Sequence, residues 1–293
     1  MGKFICYKIG QFIINLLPLQ LSYRFAMFVS DLQYLFSFRD RRAVRANLKV
    51  ILGTDKNVEP LVRNIFRNFG KYLVDFFRME KHLTLEYIQK NVKIDGIDHL
   101  KKALEHGKGG IVITAHLGNW ELGGVMISML GYPLMAIALP HKERPVNDLF
   151  NHQRGSKGMS VVPMNVAVRK CIEALRNNRL IAIAADRDFS AHGEVMDFLG
   201  RKALIPKGAA VFSFKTGAPI VPCFCIRNPD DTFTLSFEPP IFPPYESSEM
   251  IEEKILMNMM RQYVSIIEKK IRQYPNQWLM FREFWVKDNE AKR

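Results

Sequence analysis

Cysteine is scarce in this chain, with four in 293 residues, and Cys6, Cys171, Cys223 and Cys225 form neither a CxxC pair nor a zinc spacing. That excludes a disulfide-stapled scaffold and fits reduced thiols in a cytosolic setting. Cys223 and Cys225 alternate in an apolar run, so they share one face of a strand as small core residues. The uncharged run near the N-terminus falls short of the ~20 residues that cross a bilayer as a helix. A GxSxG elbow, a P-loop and an HExxH helix are all missing, which removes the common hydrolase, nucleotide and zinc-protease readings. Acids are outnumbered, 29 against 42 Lys and Arg, a net charge of +13. Such an excess favours anionic partners: nucleic acid, acidic lipid or an acidic carrier protein. Apolar residues make up 48% and aromatics 11%, including 21 Phe, so the chain has ample material for a packed core.

The first 38 residues stand apart. Residues 9–23 (IGQFIINLLPLQLSY) carry no charge, and Pro18 should end or kink a helix there. A second apolar piece, FAMFVSDLQYLFSF, is broken by Asp31. Arg39, Arg41, Arg42, Arg45 and Lys49 follow. No small-residue cleavage site follows the apolar run, so a secretory signal is not expected. An apolar helix followed by a basic one reads as an interfacial anchor facing anionic headgroups, with the body of the protein on the cytoplasmic side. Residues 1–45 are thus expected to be membrane-anchoring helices, and 46–293 an α/β domain.

From residue 110 short apolar runs alternate with helical patterns. Gly110–Ala115 (GIVITA) and Leu180–Ala185 (LIAIAA) read as strands buried on both faces. Helical stretches are expected between them and over 207–215 and 249–272. The fold class is α/β: a mostly parallel central sheet flanked by helices on both faces, with the N-terminal helical segment added. In such sheets, sites lie beyond the C-terminal ends of strands.

That rule selects His116-Leu117-Gly118-Asn119-Trp120-Glu121 after GIVITA. A His and an acid at this spacing form a weak motif; His192 and Asp197 repeat it by chance in a polar loop. The strand–turn–helix setting distinguishes the first instance, because a turn lets His116 and Glu121 converge. The carboxylate would then hold one imidazole nitrogen and leave the other as general base. Helix N-terminal amides, with Asn119, would stabilise an oxyanion. Without a protein nucleophile, the pair suits direct attack by a substrate hydroxyl on an activated acyl group. Beyond LIAIAA, Asp186 would buttress His116 or Arg187, Arg187 would hold a phosphate or carboxylate, and Glu194 is another partner for His116. Arg154 and Lys207 are further anion-binding candidates. Trp278, Phe281, Phe284 and Trp285 form a late aromatic cluster, read mainly as core.

Several blocks together resemble the bacterial lipid A late-acyltransferase family, within the lysophospholipid acyltransferase superfamily: the hydrophobic N-terminus, RRAVRANL, TAHLGNWEL, AADRDF, GAPIVP and PNQWLMFREFW. The resemblance implies an α/β acyltransferase at the inner membrane's cytoplasmic face. It would move a fatty acyl chain from acyl carrier protein or acyl-CoA to a hydroxyl of an anionic glycolipid, in lipopolysaccharide biosynthesis. It further implies no metal, no cofactor beyond that co-substrate and no nucleic acid partner, and gives His116 and Glu121 the catalytic roles. The related phosphatidylinositol-mannoside acyltransferases pair the His with a Glu at the Glu194 position. Many lipid A members have Asp-Gln where this chain has Asp186-Arg187, which leaves open a mannosylated inositol lipid or lysophospholipid as acceptor. The rival of another class is a non-catalytic basic membrane- or nucleic-acid-binding protein.

Overall fold

A computed structural model describes residues 2–188, 193–244 and 249–286. His192, with its chance repeat of the spacing, and Phe189 of AADRDF fall outside them. Pro18 separates two helices, α1 (Gly2–Leu16) and α2 (Leu19–Phe36). Helix α3 (Phe38–Leu52) ends at Gly53, whose positive φ of 58° suits a residue without Cβ. It runs unbroken through the expected boundary at residues 45 and 46. The long amphipathic helix α4 (Glu59–His82) and the short α5 (Leu85–Asn91) follow.

Asp31, which breaks the second apolar piece, accepts paired hydrogen bonds from Arg63 and Arg67 at 2.7–2.8 Å. These fasten α2 along α4. The opposite sides of α1 and α2 are apolar and exposed: Ile5, Ile9, Phe12 and Leu16 at helical spacing, then Phe25, Phe28, Leu32 and Phe36. Among the described residues, no helix is long and apolar enough to cross a membrane.

The main sheet has seven strands. In chain order they are β1 (Val92–Asp95), β2 (Gly110–Thr114), β3 (Leu134–Ala138), β4 (Ser160–Pro163), β5 (Leu180–Ala184), then β8 (Ile220–Arg227) and β9 (Phe233–Phe237). Their spatial order is β1-β9-β8-β2-β5-β3-β4. All neighbours are parallel except β8 and β9. Strands β6 (Glu194–Phe198) and β7 (Arg201–Ile205) form a separate antiparallel hairpin, which hydrophobic alternation did not announce.

The centre of the sheet shows why GIVITA is continuously apolar. Ile111 and Ile113 face one core with helices α9 (Met164–Arg176), α10 (Gly208–Thr216) and α11 (Glu249–Gln273), while Val112 faces another with α4, α6 (Ile97–Glu105), α7 (Trp120–Met129) and α8 (Arg144–Gly155). Cys223 and Cys225 lie together in the second core, as their alternation predicts.

Candidate active site

Strands β2 and β5 are parallel neighbours in strict register, Gly110 beside Leu180 through to Thr114 beside Ala184. Two residues beyond the last pair, His116 and Asp186 emerge side by side. The His116 ring donates from Nδ1 to Asp186 Oδ1 at 2.8 Å, and its backbone amide donates to Oδ2 at 2.9 Å. Trp278 Nε1 donates to the same Oδ2 at 2.9 Å. Burial alone would raise the Asp186 carboxyl. The His116 charge and these three donors outweigh burial and hold it below the usual carboxylate range. The His116 side chain is 19% exposed while Asp186 is fully buried. With Nδ1 committed, Nε2 is the nitrogen left for chemistry. Trp120 meets the imidazole edge-on, with ring centroids 4.9 Å apart, and stacks on Tyr72 at 4.7 Å.

Glu121 does not hold the imidazole. Its carboxylate turns to α8, where Arg154 donates from Nε at 2.8 Å and Nη2 at 2.5 Å. Both side chains are about nine-tenths buried. Burial disfavours the Arg154 charge, but Glu121 outweighs it and raises the guanidinium. The physical reason for the correction is register. Glu121 belongs to the helix after the turn, whereas Asp186 leaves the adjacent strand at the height of His116. Arg154, spent on Glu121 and buried, is therefore not an open headgroup ligand either. The pair clamps α7 to α8. Glu121→Gln would leave the guanidinium uncompensated, at a cost of about 3–5 kcal/mol. We expect a melting temperature lower by about 6–10 °C, much of it recovered by adding Arg154→Met; thermal unfolding followed by circular dichroism checks this.

Glu194 pairs with Lys207, at the start of α10, at 2.7 Å, so its carboxylate is engaged there while Asp186 holds the imidazole. Asn119 is buried. Its Oδ1 caps α7 by accepting from the Leu122 amide at 3.1 Å, and its Nδ2 donates to Asp75 at 2.8 Å. Two of the amides after His116 are also engaged: Gly118 N donates to the Gln277 carbonyl at 3.0 Å and Asn119 N to the Cys225 carbonyl at 2.8 Å. Gly118 has φ +64°, and a Cβ there would collide with the Cys225 carbonyl oxygen, so the turn needs glycine. Arg187 is half-buried beside Arg282; burial, then this like charge, bring its pKa down to about 10.

Trp278 reaches Asp186 because the C-terminal segment is laced beneath the turn. Leu279 N donates to the His116 carbonyl at 2.8 Å. Asn68 and Asn47 donate to the carbonyls of Asn276, at 2.7 Å, and Arg282, at 2.9 Å. Sequence reasoning assigned the late aromatics to the core. A tryptophan beside polar Asn-Gln in PNQW was the only signal that one of them has a polar duty.

Residues 2–287 match the family described as bacterial lipid A biosynthesis acyltransferase. The chain belongs to that family, and it is an acyltransferase. It is 26% identical to the phosphatidylinositol mannoside acyltransferase of Mycolicibacterium smegmatis over 85% of this chain and 81% of that one. Identity to the lipid A biosynthesis palmitoleoyltransferase of Escherichia coli is 25%, over 75% and 70% of the two chains. Among solved structures, the 1-acyl-sn-glycerophosphate acyltransferase PlsC from Thermotoga maritima aligns over 90% of this chain and 97% of its own, at 16% identity and a TM-score of 0.37.

Proposed function

We propose that this acyltransferase moves a fatty acyl chain from a thioester, on acyl carrier protein or coenzyme A, to a hydroxyl of a lipid A precursor or related anionic glycolipid. The observation that carries the reading is the buried Asp186 carboxylate holding His116 Nδ1 at 2.8 Å, at the C-terminal edge of the sheet. His116 Nε2 takes the proton as the acceptor oxygen attacks the thioester carbonyl. The C–S bond breaks on collapse of the tetrahedral intermediate, and the imidazolium returns the proton to the departing thiolate. Asp186 keeps the ring in the tautomer with Nδ1 protonated and stabilises its cation. Arg187 and Arg282 supply positive charge one residue beyond Asp186 and four beyond Trp278 for an anionic headgroup or the donor's phosphates. The exposed apolar faces of α1 and α2, with Arg39 and Arg42 exposed on α3, support peripheral attachment to the cytoplasmic face of the inner membrane.

A mannosylated inositol lipid is a second reading of the acceptor, favoured by the mannoside acyltransferase among the relatives. The test offers purified protein an acyl-CoA or acyl carrier thioester with lipid A precursor, phosphatidylinositol mannoside or lysophospholipid in anionic vesicles. Mass spectrometry should reveal one new ester on one acceptor and stoichiometric free thiol. Thiol release with no acylated lipid of any class would overturn the reading.

A further inference from the structure

Against the catalytic turn lies a set of buried charges that acid–base chemistry at the imidazole does not use. Asp75 on α4 and Arg227 at the end of β8 form an ion pair with side chains 5% and 8% exposed. Tyr23 of α2 donates its hydroxyl to Asp75 Oδ1 at 2.6 Å and accepts from Arg227 Nη1 at 3.0 Å. Asp231 accepts from Arg227 at 3.3 Å and from Lys71 at 2.6 Å. The four charges cancel. Asp75 drives the Arg227 guanidinium above its ordinary range despite burial, which opposes it.

Two routes lead from this cluster to the turn that carries His116. In one, Asp75 Oδ2 accepts from Asn119 Nδ2 at 2.8 Å, so the residue that caps α7 is held from below. In the other, the Arg227 backbone and the Gln277 side chain exchange hydrogen bonds at 3.0 and 2.9 Å. The Gln277 carbonyl then accepts from Gly118, and the next residue, Trp278, grips Asp186. Gly118 and Asn119 of the turn are thus both held through one buried cluster. Buried ion pairs are a poor source of net stability, since desolvation offsets most of their attraction; apolar substitutes often do as well. What such a cluster does supply is one fixed geometry.

We propose that Asp75 and Arg227 are positioning residues for acyl transfer, and that Tyr23 makes the amphipathic helix α2 part of the support under the active-site turn. The inference rests on the acyl-transfer reading of His116. It gives α2 a second duty, since the helix that shows an apolar face to the outside sends Tyr23, 1% exposed, into the foundation of the site.

Two variants separate positioning from bulk stability. Tyr23→Phe deletes one hydroxyl and keeps the ring. Asn119→Ser keeps a helix cap but is too short to reach Asp75. The measurements are kcat and KM with acyl-CoA, the thermal melt, and the downfield proton resonance of the His116–Asp186 hydrogen bond. We expect both variants to melt cooperatively. In each, kcat should fall about 10- to 100-fold with KM within about twofold, as a small misplacement of a catalytic group requires, and the resonance should shift or broaden. Wild-type kcat in either folded variant overturns the inference. If Asn119→Ser does not fold, Tyr23→Phe decides. Should the wild-type protein transfer no acyl group at all, the functional reading fails by itself. The resonance then decides the positioning role: displaced in the variants, it supports the role; unmoved, it refutes it.

Discussion

Replacing His116 with alanine should lower acyl transfer by about 100- to 10,000-fold, the range a positioned general base contributes. The loss belongs to kcat, because the imidazole acts on a proton that moves only as the ester forms. KM for the thioester should stay near its wild-type value. The fold should persist, because Asp186 keeps the Trp278 indole and the residue 116 amide as donors, but at some cost in stability, since a fully buried carboxylate loses its imidazole partner. Stopped-assay detection of the acylated lipid, beside a thermal melt, separates the two effects. Near-wild-type turnover in folded His116→Ala protein would remove the imidazole from the chemistry and leave the exposed apolar helices as the protein's main surface feature.

How far the sequence carries depends on which contact is local. GIVITA and LIAIAA could be read as central strands because a strand covered on both faces has no reason to alternate. The position of His116 followed from the rule about strand ends. Its partner was legible only as one of three candidates: Asp186 was among them, but spacing along the chain favoured Glu121, five residues away, over Asp186, seventy away. Yet the needed information is the pairing of two parallel strands. Had Gly110 been set beside Leu180, His116 and Asp186 would have fallen at equal height. What was missing was register, which short uniform apolar runs specify weakly. The roles of Asp75, Arg227 and Gln277 were beyond reach for a different reason. Asp75 lies inside an amphipathic helix, Arg227 ends an apolar strand and Gln277 sits in a polar loop, and their polarity has a shared meaning only when distant segments meet. Asp31 makes the same point at the surface: in the chain it spoils an apolar run, and in the fold it faces Arg63 and Arg67.

Asp186→Asn is expected to be nearly as damaging as loss of the histidine, although it removes no side-chain volume. The amide cannot supply the negative charge that stabilises an imidazolium, and its NH2 group favours the ring tautomer with the proton on the wrong nitrogen. In a comparable His–carboxylate arrangement such a change costs about 10,000-fold in kcat. Here we expect about 100- to 10,000-fold, since the Trp278 indole and the residue 116 amide can still orient one oxygen. The pH dependence gives a separate check. The folded Asp186 pKa is depressed below the usual carboxylate value. Its contribution to stability is therefore complete above the unfolded pKa of about 3.9 and disappears only as pH falls through the lower, folded value. Between pH 4 and 8 Asp186 stays ionised, so a loss of kcat on the acid side of that window cannot arise from this carboxylate. Wild-type and Asp186→Asn proteins should accordingly differ in stability throughout that window, by no less at pH 5 than at pH 8 because the carboxylate stabilises the imidazolium, and converge only below it. Melting temperatures measured from pH 3 to pH 8 test this directly: a gap that shrinks as pH is lowered from 8 to 5 would mean that Asp186 is not the ionised partner the geometry requires.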